Sequence, residues 1–388
     1  MKKKIVILGS TGSIGVTTIN IIKRDKKNFN LILLSTNKNA AKIFKQANEL
    51  KVKNVIINDH KIYLLWKNKF IKNKINIFNN FENFNKVFKK KLDYTINAIS
   101  GIDGLTPTLK IIKHSKIIAI ANKESIICGW NLIQNELKKH KSIFVPVDSE
   151  HFSIFKLLTN QSNSEIKKII ITASGGPFLK KRIDDKIKVS DALNHPNWKM
   201  GKKITIDSST LMNKVFEVIE AKKIFNTPIS KINILINPNS YVHSIIIFNN
   251  GIIKFLAHET KMEIPIFNSI YDDSKNYYNK KDFDLEKINT LNLSVPNKKK
   301  FKSLNILKII PKKDSLYETV IISVNDELVR LFLNKQIKFN KLIYYLFKII
   351  NFKKLKKYCN VTPKSIKQIY DVRDQTKKIT YEYIKKHN

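Results

Sequence analysis

Short apolar runs alternate with amphipathic stretches along the first 150 residues of this chain. Apolar positions recur at helical spacing over residues 15–24 and 40–50. Strand-like runs lie at residues 4–8, 31–34, 54–57, 94–98, 117–120 and 143–146. Strands that alternate with helices predict an α/β domain with a Rossmann-like, doubly wound parallel sheet over residues 1–150. Residues 62–91 lack a clear period, and their pattern predicts no particular element.

Beyond residue 150 the pattern changes twice. Residues 151–270 combine predicted strands at 168–172, 232–236 and 244–248 with a predicted helix at 209–223, which indicates a central α+β catalytic domain. Residues 271–300 lose periodicity and gather Asp, Asn and Lys, which is typical of a linker. Helical spacing returns over residues 316–333 and 341–350, so residues 301–388 are predicted to form a helical C-terminal domain.

Composition narrows the class of protein. The chain has 388 residues, 43% hydrophobic and 27% charged, which is ordinary for globular domains. Its two cysteines exclude a disulfide framework and a multi-cysteine zinc site, and no apolar run is long enough to span a bilayer. A cytoplasmic protein with no membrane partner is therefore expected.

The net charge of +41 has two explanations. A nucleic-acid-binding protein would be basic, but such proteins use Arg for bidentate contacts, and only four of the 72 basic residues here are Arg. Lys, Asn and Ile share codons rich in A and T, so mutational bias is the preferred explanation, and no specific nucleic-acid partner is expected. Nonspecific binding through Lys would weaken steeply as salt rises, which distinguishes the two cases.

A glycine-rich turn follows the first predicted strand. The sequence Gly9-Ser10-Thr11-Gly12-Ser13-Ile14-Gly15 lies between a strand and a helix, where backbone amides can hold a pyrophosphate. The second strand ends at Asn37-Lys38-Asn39 with no acidic residue to bind the ribose of NAD. Lys38 instead favours the 2′-phosphate of NADP. A purely structural turn is the alternative.

Two charged motifs end later strands. Asn122-Lys123-Glu124-Ser125 is either part of a ligand site or a helix N-cap with solvated charges. Asp148-Ser149-Glu150, read as an extended segment, directs two carboxylates to one side, which suits Mg²⁺ or Mn²⁺, although such a pair is often a solvated loop. Glu217 could be a third ligand, and in a helix it would share one face with Asn213 and Lys214.

Two further segments could contact an anionic substrate. Residues 172–178 contain Ser174, Gly175 and Gly176, whose hydroxyl and amide groups can surround an anion. Residues 195–201 contain His195, Trp198 and Gly201, a composition typical of a mobile cover. A turn and a core aromatic residue are the respective alternatives.

Together, the segments GSTGSIG, ANKES, PVDSEH and ASGGPF and the block from His195 to Glu220 resemble the 1-deoxy-D-xylulose 5-phosphate reductoisomerase family of the non-mevalonate isoprenoid pathway. The resemblance implies conversion of that ketose phosphate to 2-C-methyl-D-erythritol 4-phosphate by NADPH, with Mg²⁺, Mn²⁺ or Co²⁺, in a homodimer. It implies NADPH contacts from Thr11, Gly12, Ser13, Ile14, Asn37, Lys38, Asn39, Asn122, Glu124 and Gly201. It implies metal ligation by Asp148, Glu150 and Glu217. It implies substrate contacts from Lys123, Ser149, Glu150, Ser174, His195, Trp198, Ser208, Asn213, Lys214 and Glu217, with catalytic roles for Lys123, His195 and the metal ligands.

The chain departs from the family pattern at a few positions. Asn37 stands where Gly is usual, Val215-Phe216 replaces Gly-Leu, and residues 258–263 replace a Gly-x-Pro-Asp-Met segment. No implied ligand is lost at these positions. The alternative enzyme is an NADP-dependent semialdehyde dehydrogenase, which would need Cys128 as a nucleophile, but Cys128 lies in an apolar run typical of a core.

Overall fold

The computed structural model describes residues 2–162, 165–271, 278 and 285–387. The chain divides into two compact units. The first comprises Met1–Ser125, Leu132–Phe152 and Met262–Lys280, and the second comprises Ile126–Asn131, Ser153–Lys261 and Lys281–Asn388.

The first unit contains a seven-stranded parallel sheet with strand order β4-β3-β2-β1-β5-β6-β7. Its strands are β1 (Lys3–Leu8), β2 (Phe29–Thr36), β3 (Asn54–Ile57), β4 (Asn76–Phe78), β5 (Leu92–Asn97), β6 (Ser115–Ile120) and β7 (Ile143–Pro146). All six strands predicted for this region are confirmed, and β4 is an addition. Ile5 to Leu8 are fully buried, because a parallel sheet is covered on both faces. Each such side chain stabilises the fold by roughly 1.5–3 kcal/mol.

Helices connect these strands and continue through the chain. The earlier ones are α1 (Ser13–Arg24), α2 (Ala40–Glu49), α3 (His60–Lys72), α4 (Phe84–Val87), α5 (Leu105–Ile112), α6 (Lys123–His140) and α7 (Ser149–Leu157). The later ones are α8 (Val189–Leu193), α9 (Lys202–Ser209), α10 (Met212–Ile224), α11 (Glu263–Ile270), α12 (Leu285–Asn289), α13 (Leu316–Leu333), α14 (Lys341–Ile350), α15 (Lys353–Lys356) and α16 (Ile366–His387). The unassigned residues 62–91 thus contain most of α3, together with β4 and α4.

Helix α11 returns the chain to the first unit. The Tyr94 hydroxyl and Ser269 Oγ are 2.6 Å apart in a buried hydrogen bond, and the Tyr271 hydroxyl donates to Asp25 at 2.7 Å. Residues 262–270 therefore pack with the parallel sheet, whereas the predicted division placed them with the central domain. The sequence pattern does not reveal this, because an amphipathic pattern indicates that one face of a helix is buried but not which sheet covers that face.

The second unit is built around a four-stranded sheet with order β11-β10-β8-β9. Its strands are β8 (Ile166–Ala173), β9 (Ile232–Ile236), β10 (Val242–Phe248) and β11 (Ile253–Ala257). The three predicted strands of this region are confirmed, and β11 is an addition. The predicted helix over 209–223 is wrong as a single element. Leu211 has a left-handed backbone (φ 58°), and this turn separates α9 from α10.

The predicted helical C-terminal segment is confirmed as helices. Ser315 caps α13 in a capping box with Glu318, and α13 packs against α9, α14 and α16 within the second unit. The predicted separation of residues 301–388 as a domain of their own remains a prediction. Of the predicted linker, residues 272–277 and 279–284 lie outside the described residues, while α12 and a bridge from Ser294 to Ile236 lie within them. No helix in the described ranges is long and apolar enough to cross a membrane.

Candidate active site

The glycine-rich turn joins β1 to α1 with very little space around it. Gly9 has φ +82°, and a Cβ there would lie 2.8 Å from the Ala98 carbonyl oxygen. A Cβ on Gly15 would lie 2.3 Å from the Gly9 carbonyl oxygen. Gly12 is the N-cap of α1 and has no side chain to occupy the helix N-terminus. The turn therefore presents backbone amides as a dinucleotide-binding turn does.

The residues after β2 are paired in a way that the sequence did not reveal. Asn39 caps α2 by accepting a hydrogen bond from the Lys42 amide at 3.2 Å. Lys38 Nζ lies 3.6 Å from an oxygen of Asp59, an acidic residue just beyond β3. A backbone hydrogen bond from Ile62 and the nearby Lys38 lower the pKa of Asp59, so this carboxylate accompanies Lys38 at neutral pH.

The Asn122-Lys123-Glu124-Ser125 motif does form an N-cap, but its charges are not solvated. The Asn122 side chain accepts from the Ser125 amide at 2.8 Å and donates to the Gly101 carbonyl oxygen at 2.6 Å. Lys123 and Glu124 are only 7% and 8% exposed. Burying charged groups is costly unless they are paired. The buried charges of this motif are therefore not explained by helix capping alone, which favours the ligand-site interpretation.

Asp148 is surrounded by charged and ionisable groups in the first unit. Its carboxylate lies 3.1 Å from Lys123 Nζ and 3.2 Å from Nδ1 of the fully buried His151. Burial by itself would raise the pKa of Asp148, but Lys123 and His151 outweigh it and hold the pKa well below its ordinary value. Asp148 is therefore ionised at neutral pH and ready to bind a cation. His151 was not predicted as a site residue.

The extended conformation expected for residues 148–150 is wrong, because α7 begins at Ser149. Glu150 lies in the first turn of α7, where its backbone amide donates to Asp148 at 3.3 Å. The Ser149 hydroxyl donates to the Glu150 carboxylate at 2.6 Å. The two carboxylates still converge, with an oxygen of each within 4.8 Å of the other. Hard oxygen donors this close suit Mg²⁺ or Mn²⁺.

The predicted face of α10 is confirmed in the second unit. The Asn213 side chain donates to one oxygen of Glu217 at 2.5 Å, and Lys214 Nζ forms an ion pair with the other oxygen. Glu217 is 1% exposed and Lys214 is 5% exposed. A buried carboxylate held by both an amide and an ammonium group has a fixed position.

His195 is held as a neutral hydrogen-bond donor. Its Nδ1 accepts hydrogen bonds from the backbone amides of Asn197 (3.2 Å) and Trp198 (3.0 Å). The proton must therefore be on Nε2, which lies 3.1 Å from both Ser174 Oγ and Ser208 Oγ. Burial lowers the pKa of His195 to about 4, so the ring is neutral at neutral pH.

The same hydroxyls lie beside a tight loop. Ser174 Oγ accepts from the Gly176 amide at 3.1 Å, and Gly176 has φ +66°. A Cβ on Gly176 would lie 2.9 Å from the Ser208 carbonyl oxygen, so the loop and the end of α9 leave no room for a side chain at this position. His195, two hydroxyls and this loop form a cluster of small donors suited to an anion.

Residues 195–201 are tied to the second unit. Asn197 donates to the Pro238 carbonyl oxygen at 2.6 Å, and the Trp198 ring meets His243 edge-on at 6.2 Å. His243 stacks on His258 with ring centroids 3.7 Å apart. Neither histidine was predicted, because they are 15 positions apart and no local pattern joins them. Gly201 is the N-cap of α9.

The other predicted site residues lie on several elements of the two units. Thr11, Ser13 and Ile14 belong to the glycine-rich turn and the start of α1, and Asn37 follows β2. Asp148 and Glu150 belong to the first unit and Glu217 to the second. Cys128 is 1% exposed, which matches the core position expected for it and gives no support to a nucleophilic role.

Family models match three parts of the chain. The model described as 1-deoxy-D-xylulose 5-phosphate reductoisomerase matches residues 5–129. The model for the C-terminal domain of the same enzyme matches residues 144–225, and that described as DXP reductoisomerase C-terminal domain matches residues 258–379.

Relatives and solved structures agree with the models. The 1-deoxy-D-xylulose 5-phosphate reductoisomerase of Pelagibacter ubique (strain HTCC1062) is 53% identical over 96% of this chain and 97% of its own length. That of Thermoanaerobacter sp. (strain X514) is 36% identical over 99% and 100%. The enzyme from Zymomonas mobilis in complex with NADPH has a TM-score of 0.88, 27% identity and 99% coverage of both chains. A reductoisomerase in complex with NADPH, fosmidomycin and magnesium has a TM-score of 0.91 and 27% identity, covering 99% of this chain and 98% of its own. The chain belongs to the 1-deoxy-D-xylulose 5-phosphate reductoisomerase family.

Proposed function

We propose that this chain uses NADPH and a divalent cation to rearrange and reduce 1-deoxy-D-xylulose 5-phosphate to 2-C-methyl-D-erythritol 4-phosphate. The observation that carries the proposal is the cluster around Asp148, whose ionised carboxylate lies 3.1 Å from Lys123 Nζ and within 4.8 Å of a Glu150 carboxylate oxygen. This cluster combines metal ligands with a cation that can face the oxygens of a ketose. Membership of an oxidoreductase family supplies the reaction class.

We infer that Asp148, Glu150 and Glu217 hold the metal, which would be Mg²⁺, Mn²⁺ or Co²⁺. When bound, such a cation polarises a carbonyl and stabilises negative charge on oxygen. Lys123 adds positive charge beside Asp148 and contacts the substrate, while Ser149 orients the Glu150 carboxylate. Asn213 and Lys214 hold the Glu217 carboxylate in place. The support is the hard-oxygen donor set and the low pKa of Asp148.

We assign the substrate phosphate to the small-donor cluster of the second unit. Ser174, Ser208 and the Nε2 proton of His195 point at one another, and Asn213 and Lys214 add donors from α10. Trp198 would cover the bound substrate. Binding energy from a phosphate remote from the reacting carbons can hold them in place and exclude water.

We assign NADPH to the carboxyl ends of the central strands of the parallel sheet. Thr11, Gly12, Ser13 and Ile14 would bind its phosphates through backbone amides at the start of α1. Asn37, Lys38 and Asn39 would meet the adenosine end, where Lys38 would exchange Asp59 for the 2′-phosphate. Further contacts would come from Asn122, Glu124 and Gly201.

A spectrophotometric assay tests the function. NADPH oxidation is followed with 1-deoxy-D-xylulose 5-phosphate and Mg²⁺ or Mn²⁺, and controls omit the metal or use NADH. Metal-dependent oxidation with a preference for NADPH is expected. Folded protein that binds NADPH but does not oxidise it would contradict the substrate assignment, and failure to bind NADPH would contradict the cofactor assignment.

We propose that the protein forms a homodimer through the free edge of the second sheet. Among the described residues, strand β11 pairs with β10 only, and its Ile253 and Phe255 are 60% and 51% exposed. Apolar edge strands are sites of association between chains. Light scattering should report a dimer, and Phe255→Lys should shift it towards the monomer. A wild-type monomer would contradict the proposal.

We propose a cytoplasmic location. Cys128 and Cys359 form no disulfide, which fits a reducing compartment. Cell fractionation tests this, and recovery with the membrane or the medium would contradict it.

A further inference from the structure

Helix α14 carries apolar side chains outside its buried face as well as on it. Eight of the ten residues in its sequence KLIYYLFKII are apolar. One face is buried in the second unit and consists of Leu342, Tyr345, Leu346, Ile349 and Ile350. The other face presents Ile343, Tyr344 and Phe347, and Tyr344 is 52% exposed. Lys341 and Lys348 share this outer face with Tyr344, while Ile343 and Phe347 are only half-buried, so the outer face offers an apolar surface flanked by cations.

That outer face forms one wall of a cavity of about 820 Å³. Phe301 and Phe339 contribute further apolar lining. The volume lies within the range of small-molecule sites, which are mostly apolar with a few polar groups that fix orientation. The size therefore favours a small molecule over a second protein chain.

The rim of the cavity is positively charged and carries no carboxylate. Its cations are Arg182, Lys299, Lys300, Lys302 and Lys348, five of the fourteen lining residues. Lys and Arg make up 72 of 388 residues, so some cations are expected anywhere, but acidic residues number 31 and none lines this cavity. Among the described residues, none of these five cations forms an ion pair. Burial also lowers the pKa of Lys300, which an incoming anion would reverse.

We propose that this cavity binds a small amphipathic anion, with an aromatic or aliphatic body against α14 and a phosphate, sulfonate or carboxylate group among the rim cations. The apolar walls provide most of the binding energy by removing their surface from water. The cations select charged ligands over neutral ones of the same shape. Neither the reaction nor any residue assigned to it uses this cavity.

The cavity also borders the loop assigned to the substrate phosphate. Phe339 in its wall packs on Phe178 with ring centroids 4.8 Å apart. Lys300 Nζ donates to the Leu179 carbonyl oxygen at 2.9 Å. Thr210 lines the cavity two residues after Ser208, and its carbonyl oxygen accepts from Ser303 at 2.6 Å. A bound anion that draws Lys300 away from Leu179 would loosen this loop. This coupling rests on the proposed function, whereas binding itself does not.

Binding is tested with 8-anilinonaphthalene-1-sulfonate as the probe, by fluorescence titration of the full chain with saturating NADPH to occupy the dinucleotide site. The Lys302→Glu/Lys348→Glu pair should weaken binding by about tenfold or more. The matched pair Lys364→Glu/Lys367→Glu, which changes net charge equally outside the lining, should leave the affinity within about twofold. Neutral N-phenyl-1-naphthylamine should bind more weakly than the sulfonate.

Three results would overturn the proposal: no binding of the sulfonate, equal weakening by both charge-reversed pairs, or equal affinity for the neutral analogue. The coupling is measured separately as the KM for substrate, which saturating probe should raise about threefold in the wild type and not in Lys302→Glu/Lys348→Glu. An unchanged KM in active, probe-bound enzyme would overturn the coupling. No turnover without probe would instead reject the proposed function, while the binding measurement would still decide the site.

Discussion

At this site, the behaviour of a single carboxylate depends on the charged and polar groups next to it. Asp148 lies close to Lys123 and His151. These two groups lower its pKa, although burial alone would raise it. Glu217 is held in the same way by Asn213 and Lys214. In each case a carboxylate that is largely removed from water is held by neighbouring amide or ammonium groups, which is typical of functional sites.

Replacing Asp148 by Asn should remove a metal ligand while preserving shape. We expect kcat to fall about 100-fold or more, since mutating even a residue that only orients a metal ligand typically lowers metal affinity or activity by about 10- to 100-fold. Mn²⁺ affinity, followed by electron paramagnetic resonance, should fall in parallel. Asp93→Asn is the matched control, because Asp93 is also paired with a lysine, Lys116 at 2.8 Å. Near-normal Mn²⁺ binding by Asp148→Asn would contradict the metal assignment.

Replacing His195 by Leu should remove a donor to the substrate phosphate. A hydrogen bond to a charged group contributes about 1.5–3 kcal/mol, so kcat/KM should fall roughly 10- to 100-fold. His195→Gln keeps a donor and should recover part of this loss. The expected effect is smaller for 1-deoxy-D-xylulose, which lacks the phosphate. An equal loss for both substrates would mean that His195 does not act on the phosphate.

At the scale of elements, the decisive features are the points where one element ends and the next begins. α9 ends at Ser209 and α10 begins at Met212, because Leu211 adopts a left-handed turn that costs about 1–2 kcal/mol. This turn separates the helix that carries Ser208 from the helix that carries Asn213 and Lys214. The approach of Gly176 to Ser208 is the second such feature.

Gly176→Ala should damage substrate binding through crowding. The new Cβ would meet the Ser208 carbonyl oxygen at 2.9 Å, so we expect KM to rise about tenfold. Gly251→Ala is the control, because Gly251 has a similar positive φ of +85° but nothing within 4 Å of the new Cβ. It should lower stability by about 1–2 kcal/mol and leave KM unchanged. An equal rise in KM in both variants would refute the crowding argument.

At the scale of the whole molecule, charge and buried histidines set the response to pH. The chain already carries +41, and any proton taken up on acidification adds to that repulsion. Burial lowers the pKa of His114 and His195 to about 4 and, together with His243, lowers that of His258 to about 3. The unfolded chain protonates these groups near pH 6.5, so it binds more protons than the folded chain below that pH.

Stability should therefore fall as pH is lowered from about 6.5 towards 4. His258 alone should contribute about 1–2 kcal/mol to the loss between pH 7 and pH 5. Urea unfolding at constant ionic strength measures this, and His258→Phe, which keeps a ring against His243, should show a weaker pH dependence. The same pH dependence in wild type and variant would show that His258 is not the source.

Much of this protein is determined by its sequence alone. Uninterrupted apolar runs specify the parallel sheet, because strands buried on both faces must be apolar throughout. The glycine spacing specifies the turn before α1, and the spacing of Asn213, Lys214 and Glu217 specifies their shared helix face, because both depend only on local geometry.

The tertiary structure decides what depends on residues distant in sequence. It pairs Asp59 with Lys38, stacks His243 on His258 and returns α11 to the parallel sheet. It also places Glu150 in a helix rather than an extended segment, without separating its carboxylate from that of Asp148. The outer face of α14 belongs here too, because apolar periodicity cannot tell a buried face from one that lines an open cavity. Contacts between distant segments depend on how the whole chain packs, and no local pattern encodes them.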